Sequence, residues 1–388
     1  MSKPGAGKSV ILLATAAGPR NRGIGQYERY VLPPLLYRLL ERGATPTVIL
    51  SADGDFACGD GRVRILRLPA RRDKTLARLA VEQVWVPWAA RGADLFVSLE
   101  SVYPFPPVPA RRRMVVVHDI HVLRFRRDPE RFPEDYSRPY ALWAPAATRR
   151  ALRASHKIIA VSEFTRREIL DVLKVDAGRV VVVPNGLDHS KFHPPSGAGE
   201  TERVRAKYNL PPSFYLFVGP CSRKKNLRLI LDAYRASGGT DAVKAPVAVA
   251  GDTRRNSLYG ELLDGIRTAG LGDRFLLLGS VPDSDLPGLY AAARAFLYPS
   301  LYEGFGLPML EAMACGVPVV AADGSSLLEV AGGAALLIDP RDPRSLLAAL
   351  ERVGRESERA GLVGRGLARA REFSWERTAE CLAAELCA

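Results

Sequence analysis

The sequence is poor in cysteine, histidine and acidic charge, and it lacks any long apolar run. Five Cys in 388 residues (Cys58, Cys221, Cys315, Cys381, Cys387) are sparse and odd in number, and no two have CxxC spacing. That excludes a disulfide scaffold, a zinc ribbon and a dithiol redox motif, and it points to a reducing compartment. The longest apolar stretches, such as Met114–Val117 and Val317–Ala322, are strand-sized. They fall far short of the ~20 residues of a membrane-spanning helix. The run Val10–Ala17 after Lys3 and Lys8 has some look of a secretory leader. A glycine turn and an amphipathic helix follow it at once, so Val10–Thr15 is read as a first strand and the protein as cytoplasmic. An apolar share of 47% excludes global disorder.

The shortage of acid is local. Residues 1–150 hold 25 Lys/Arg against 14 Asp/Glu, a net +11, whereas the rest of the chain holds 30 against 28. Arg71-Arg72, Arg111-Arg112-Arg113, Arg126-Arg127 and Arg149-Arg150 are the densest points. Such a field attracts nucleic acid, acidic lipid or phosphorylated small molecules, and it is also what plain solvated surface looks like.

What is present is an alternation of short β-branched runs with helical stretches. Thr47–Leu50, Val63–Leu68, Leu95–Leu99, Met114–His118, Ile158–Val161 and Val180–Val183 follow the first strand. Gln26–Arg42 has apolar residues at helical spacing and ends at Gly43; Glu163–Leu173 is a second helix. Continuous rather than alternating apolar strands predict parallel sheets covered on both faces. Lys191–Glu200, with two Pro and two Gly, reads as a domain edge. The alternation then restarts at Phe214–Val218 and runs to an amphipathic segment at Trp375–Leu386. The expected fold is α/β, with two doubly wound Rossmann-like domains facing a cleft: residues 1–190, and residues 200–374. Ligands of such sheets lie beyond the carboxyl ends of the strands.

Several motifs compete for function. Pro4-Gly5-Ala6-Gly7-Lys8-Ser9 imitates a phosphate loop but lacks the first Gly and precedes its strand, so it is set aside as a disordered N-terminus. Asp53-Gly54-Asp55 resembles a metal-binding DxD but sits in a Gly/Asp-rich turn; Asp283-Ser284-Asp285 is read as helix capping. No metal site is expected. Arg22-Gly23-Ile24-Gly25 lies where a first helix opens, and Gly there admits a ligand close to backbone. His118-Asp119 ends a buried strand, with His121 nearby. Arg223-Lys224-Lys225 follows the strand Phe214–Val218, and three cations there suit a diphosphate. In Pro299–Val320, Gly304 and Gly306 precede Pro308, so the free N–H groups within residues 305–309, Pro308 having none, can face an anion. Glu303 stands before that helix and Glu311 about one turn inside it, where a carboxylate can accept from sugar hydroxyls.

EGFGLPMLEA with two Glu eight apart, followed by GVPVV, resembles the donor site of family 4 retaining glycosyltransferases, which have the GT-B fold. The resemblance also takes in Arg22–Tyr27, Val117-His118-Asp119, Ile159–Glu163, Val183–Asp188, Phe217–Leu227 and Phe275–Ser300. It implies a C-terminal domain that binds a nucleotide sugar and an N-terminal domain that binds the acceptor, with helix 375–388 crossing back onto the latter. It puts Glu303 on the sugar, the backbone of Phe305, Gly306 and Leu307 on sugar and diphosphate, and Glu311 on the ribose. Lys225 would lie on the diphosphate, Gly23 opposite it, and His118 beside the reacting carbon. Many relatives carry Arg directly after the Gly that ends the first C-domain strand; this chain has Pro220, and Arg223 or Lys224 would have to compensate.

The resulting expectation is a retaining, metal-independent glycosyltransferase that uses no cofactor. It would move a hexose from a nucleotide diphosphate sugar to a hydroxyl of a cell-surface glycan or lipid-linked acceptor. GDP-mannose is preferred as donor on the look of the RGIGQY and RKKN segments. The catalytic set is His118, Asp119 and Glu303; the donor set adds Gly23, Arg223, Lys224, Lys225, Gly304, Phe305, Gly306, Leu307 and Glu311. No nucleic-acid partner is expected. Arg124, Arg126 and Arg127 are expected to meet an acidic membrane surface on the inner face of the membrane or the acceptor's phosphate, in preference to Arg111-Arg112-Arg113, which precede a strand and so lie at the sheet edge away from the cleft. The rivals are a nucleotide-sugar epimerase or hydrolase on the same fold, a basic nucleic-acid-binding protein, and a P-loop ATPase.

Overall fold

The computed structural model describes residues 7–17, 23–69, 75–101, 108–127, 138–239, 243–251 and 257–388. They form two compact units. The first runs to Gly186 and resumes at Ser374–Ala388; the second holds Leu187–Phe373.

In the first unit the elements are β1 (Ser9–Leu13), α1 (Ile24–Glu41), β2 (Thr45–Leu50), β3 (Arg64–Arg67), α2 (Thr75–Ala89), β4 (Leu95–Ser98), β5 (Arg112–Val117), α3 (His121–Arg127), α4 (Arg138–Ala154), β6 (Lys157–Ala160), α5 (Glu163–Leu173) and β7 (Val180–Val182). The strands form one parallel sheet in the order β3-β2-β1-β4-β5-β6-β7. β4 and the Met114–Val117 stretch of β5 are wholly buried, as continuous apolar runs require when helices cover both faces. Helices α2 and α4 escape a reading by periodicity. Each carries an interior proline, Pro87 and Pro145, which sequence rules treat as a break, whereas α1 keeps a clear apolar spacing on both sides of its own Pro33 and Pro34.

The second unit contains α6 (Gly199–Lys207), β8 (Tyr215–Val218), α7 (Leu227–Ala236), β9 (Val247–Ala250), α8 (Ser257–Thr268), β10 (Phe275–Gly279), α9 (Leu286–Ala292), β11 (Ala295–Tyr298), α10 (Leu307–Ala314), β12 (Val319–Ala322), α11 (Ser325–Ala331), β13 (Leu336–Ile338), α12 (Pro343–Gly354) and α13 (Glu356–Ala370). Its parallel sheet has the order β10-β9-β8-β11-β12-β13. Each sheet reverses its winding once, between β1 and β4 and between β8 and β11. At such switch points a crevice opens beyond the strand ends.

The last helix, α14 (Trp375–Cys387), belongs to the first unit. Trp375 stacks on Tyr30 at 5.9 Å and meets Tyr27 edge-on at 5.6 Å, both on α1. Glu380 pairs with Arg38 (3.0 Å) and Arg42 (2.7 Å). Gly186 lies against the start of this segment: a Cβ there would come within 2.3 Å of the Trp375 N atom and 2.4 Å of the Ser374 carbonyl carbon.

Candidate active site

In the second unit, β8 delivers the chain through Gly219 into a 3-10 turn, Arg223–Lys225, closed by Asn226. Asn226 is left-handed (φ 56°), a conformation that Asn tolerates better than most residues. Its Nδ2 donates to the carbonyls of Pro299 (3.0 Å) and Pro340 (2.8 Å), while the Leu301 N–H donates to the Lys224 carbonyl at 2.7 Å. These bonds fasten the basic turn to the loop that follows β11. Lys225 Nζ thereby reaches Glu303 Oε1 at 2.7 Å and Tyr298 Oη at 3.0 Å, with the Tyr298 ring centroid 4.9 Å away. Two of the three ammonium protons are used, and the third remains for a ligand. The Lys225 and Glu303 side chains are each only 12% exposed. Burial pushes the Glu303 carboxyl up, but the charges of Lys225 and Lys224 outweigh it and hold the group below its ordinary range. Lys224 thus acts electrically on the site, whereas the Arg223 side chain is exposed.

Glu303 leads through Gly304, Phe305 and Gly306 into α10. Gly306 has φ 110°, and a Cβ on it would meet Leu327 at 2.7 Å, so only glycine fits. Ser326, fully buried on α11, has its Oγ 2.9 Å from the carbonyl oxygens of both Glu303 and Phe305. A trans peptide sets N–H antiparallel to C=O, so the N–H groups of Gly304 and Gly306 face away from Ser326. Neither Ser326 nor Asn226 is legible as a site residue from spacing. Their one sequence trace is a polar side chain directly after a turn that follows a strand. Glu311 is buried on α10 and accepts from Tyr290 Oη at 3.0 Å, a contact that, after burial itself, helps drive the Tyr290 phenol up.

In the first unit, Gly23 (φ 70°) stands before α1, and its carbonyl accepts the Tyr27 N–H at 3.0 Å. His118 follows β5 and meets the Tyr27 ring edge-on at 4.6 Å. Its Nε2 lies 2.8 Å from the Leu99 carbonyl. A carbonyl only accepts, so Nε2 carries the proton and Nδ1 the lone pair. Burial pushes the imidazole down, against the Leu99 bond and the charges of Asp119 and Glu100. Asp119 turns the chain into α3, accepting the His121 N–H at 3.1 Å. Across the switch point, Thr15 donates to Glu100, a buried carboxylate that the sequence reading passed over.

Four expectations change. Asp285 caps nothing: its carboxylate binds Arg203 (2.8 Å), Lys207 (2.6 Å) and Tyr208 (2.6 Å) of the chain at and after α6, and Asp283 pairs with Lys191. Lys8 is ordered, with Nζ 3.1 Å from the Leu386 carbonyl at the end of α14, where a cation satisfies terminal carbonyls. Arg124 is not a membrane-facing cation: Glu168 and Asp171 bind it, and only 17% of its side chain is exposed. The domain edge falls at Gly186–Leu187, where the chain leaves the first unit, ahead of the Pro/Gly-rich stretch. The side chains of Arg126 and Arg127 lie outside the described residues, as do Pro4, Gly5 and Ala6. Asp53 and Asp55 are exposed in the turn after β2. Among the described residues no helix is long and apolar enough to cross a membrane.

Two parallel sheets, each with one switch point, and a glycine-rich acidic loop locked to a lysine at the second of them define a glycosyltransferase of the GT-B architecture. Residues 200–361 match the profile described as Glycosyl transferases group 1, and residues 35–191 that of Glycosyltransferase Family 4. The O-antigen chain mannosyltransferase B of Escherichia coli is 37% identical over 273 residues, covering 70% of this chain and 68% of that protein. The serotype-specific mannosyltransferase WbdA of Escherichia coli is 28% identical over 316 residues, covering 80% of this chain but only 37% of that longer protein. The sucrose-phosphate synthase of Thermosynechococcus elongatus superposes with a TM-score of 0.74 over 97% of this chain and 98% of that one, at 21% identity. The chain belongs to the group 1 glycosyltransferases.

Proposed function

We propose that the protein is a retaining, metal-independent mannosyltransferase that extends a cell-surface glycan or lipid-linked acceptor from GDP-mannose. The observation that carries this reading is the Lys225–Glu303 pair at the β8/β11 switch point. It places a cation with one uncommitted proton beside a carboxylate, as a sugar diphosphate demands. The 37% identity to an O-antigen mannosyltransferase supports mannose and a glycan acceptor.

Lys225 holds the diphosphate, aided by Lys224, which stands in for the cation that Pro220 does not supply. The N-terminus of α10 faces the same charge, so a preorganised field stabilises the leaving group. Glu303 and the Gly304–Leu307 backbone orient the sugar, and Glu311 the ribose. The first unit receives the acceptor. Gly23 contributes backbone close to the ligand, and neutral His118 accepts a sugar hydroxyl at Nδ1. Asp119 acts by fixing the turn beside His118. The acceptor oxygen bonds to C1 on the face that the C1–O(phosphate) bond vacates, and the departing phosphate oxygen takes the hydroxyl proton.

Calorimetric titration with GDP, GDP-mannose, UDP and UDP-glucose tests the donor. GDP and GDP-mannose should bind, and the mannoside formed on an oligomannose acceptor should be the α-anomer, with activity undiminished in EDTA. A β-anomer, free mannose as sole product, or full dependence on manganese or magnesium would sink the corresponding part of the reading.

A further inference from the structure

The amino edge of the first sheet, opposite the edge that carries Gly23 and His118, gathers cations and exposed apolar side chains. The turn after α2 and the segment before β5 run side by side: the Gly92 N–H donates to the Pro109 carbonyl (3.3 Å), and those of Arg111 and Arg112 donate to the carbonyls of Ala93 and Asp94 (3.0 Å each). The turn after α4 joins them, with the His156 N–H on the Arg113 carbonyl (2.8 Å) and the Arg113 N–H on His156 Nδ1 (3.1 Å). Arg91, Arg111 and Arg153 are exposed there and Arg112 half-exposed. Among the described residues, the acids paired there are Asp94, 3.3 Å from Arg111, and Glu385, on Lys157. The field registers on His156, which burial and then the charges of Arg113, Arg112 and Arg179 push down. One helical turn apart near the same end of α2, Val84 and Trp88 are 74% and 67% exposed.

We propose that this edge, with Trp88 and Val84 beside Arg91, Arg111, Arg112 and Arg153, is a docking surface for a bilayer rich in anionic phospholipid. A bilayer fits better than an acidic protein or a nucleic acid because charge and apolar protrusion occur together. Guanidinium groups pair with lipid phosphates, and a tryptophan next to them is at home at headgroup depth. The strand β5 separates Arg112 from His118 by six residues, about 20 Å of extended chain. A bilayer on the amino edge therefore leaves the ligand end of this unit uncovered, so docking and chemistry use different residues. This surface stands independently of which nucleotide sugar the second unit takes.

The test is co-sedimentation of the full chain with phosphatidylcholine vesicles, with and without phosphatidylglycerol, over a salt series. Binding should require phosphatidylglycerol and fall as salt rises. Replacing Arg91, Arg111 and Arg112 together by Gln should weaken it about fivefold for each cation lost, roughly a hundredfold in all. The same charge change in the second unit, at Arg228, Arg267 and Arg344, should leave it within about twofold. Trp88→Ala should lower binding severalfold at unchanged charge, and the emission lost with Trp88→Phe should be the part that shifts blue on vesicles. Transfer to a dissolved oligosaccharide should be unaffected by all of these variants. Equal losses from the two triple variants, binding without phosphatidylglycerol, or a salt-sensitive complex with duplex DNA but none with vesicles would each overturn the assignment. So would indifference to Trp88.

Discussion

Lys225 and Glu303, 78 residues apart in sequence, meet at 2.7 Å beyond the ends of β8 and β11. Neither is a spare charge. Lys225 is a cation already oriented by a carboxylate and a phenol, and Glu303 is an anion whose protonation is suppressed by the charges beside it.

Because the two are nearly buried, removing one strands the other. Lys225→Met should weaken GDP binding by about 10- to 100-fold, the worth of a hydrogen bond to a charged group, with less effect on guanosine alone. Glu303→Gln should lower kcat more than it raises KM for the donor, since sugar orientation counts most in the transition state. Glu311→Ala should do the reverse. Steady-state kinetics with calorimetry separates the three, and near wild-type values in all of them would remove the donor site from this loop.

Ser326→Ala should loosen the Glu303–Gly306 backbone without touching a ligand. Amide hydrogen exchange should rise in the peptide spanning residues 299–306, and kcat should fall about tenfold or more, the effect of misplacing groups by a fraction of an ångström. Ser345, whose hydroxyl accepts the Asp339 N–H at 3.0 Å, supplies the comparison. Ser345→Ala should cost stability alone.

Asp285 makes acid stability measurable. Burial raises its carboxyl, but Lys207, Tyr208 and Arg203 pull it down to about 2, below the ordinary 3.8. A depressed folded value stabilises the fold above the unfolded value, and that share disappears as pH falls from about 4 to about 2. At neutral pH it is worth about 2 kcal/mol. Thermal unfolding of Asp285→Asn should therefore lag wild type at pH 7 and converge with it near pH 2. A constant gap would assign the loss to packing instead.

Gly186→Ala should be severely destabilising, by about 3 kcal/mol or more, because its Cβ would strike backbone rather than a flexible side chain. Chemical denaturation followed by tryptophan fluorescence reports this directly, as Trp375 lies at the collision. A variant with unchanged midpoint would show that the returning segment can move aside.

The alternation of apolar strands and helices was legible in the sequence because parallel sheets bury both faces and leave continuous runs such as Met114–Val117. The acidic loop was legible for a local reason as well, since its glycines, proline and glutamates lie within a few residues. What could not be read were partners far apart along the chain. Glu303 and Lys225 were each assigned to a different part of a ligand, not to one another. Asn226 and Ser326 act through backbone carbonyls, which carry no sequence signature. Arg124 reads as a surface cation in the sequence because its partners Glu168 and Asp171 stand more than 40 residues away from it. Asp285 passed for a cap because helix ends favour aspartate, yet the cations and phenol of residues 203–208 claim it.

The return of α14 to the first unit sets an order of events during synthesis. By the time residue 186 leaves the ribosome, every described strand of the first sheet exists, but the face of α1 at Tyr27 and Tyr30 that receives Trp375 lacks that cover. The nascent chain must hold that surface uncovered while the whole second unit is made, roughly ten to forty seconds at about 5–20 residues per second. The second unit, continuous from Leu187 to Phe373, has every residue it needs before the first does. The half of the chain translated first is thus the half completed last, and a premature stop anywhere after residue 373 would spare the second unit while leaving the first unfinished.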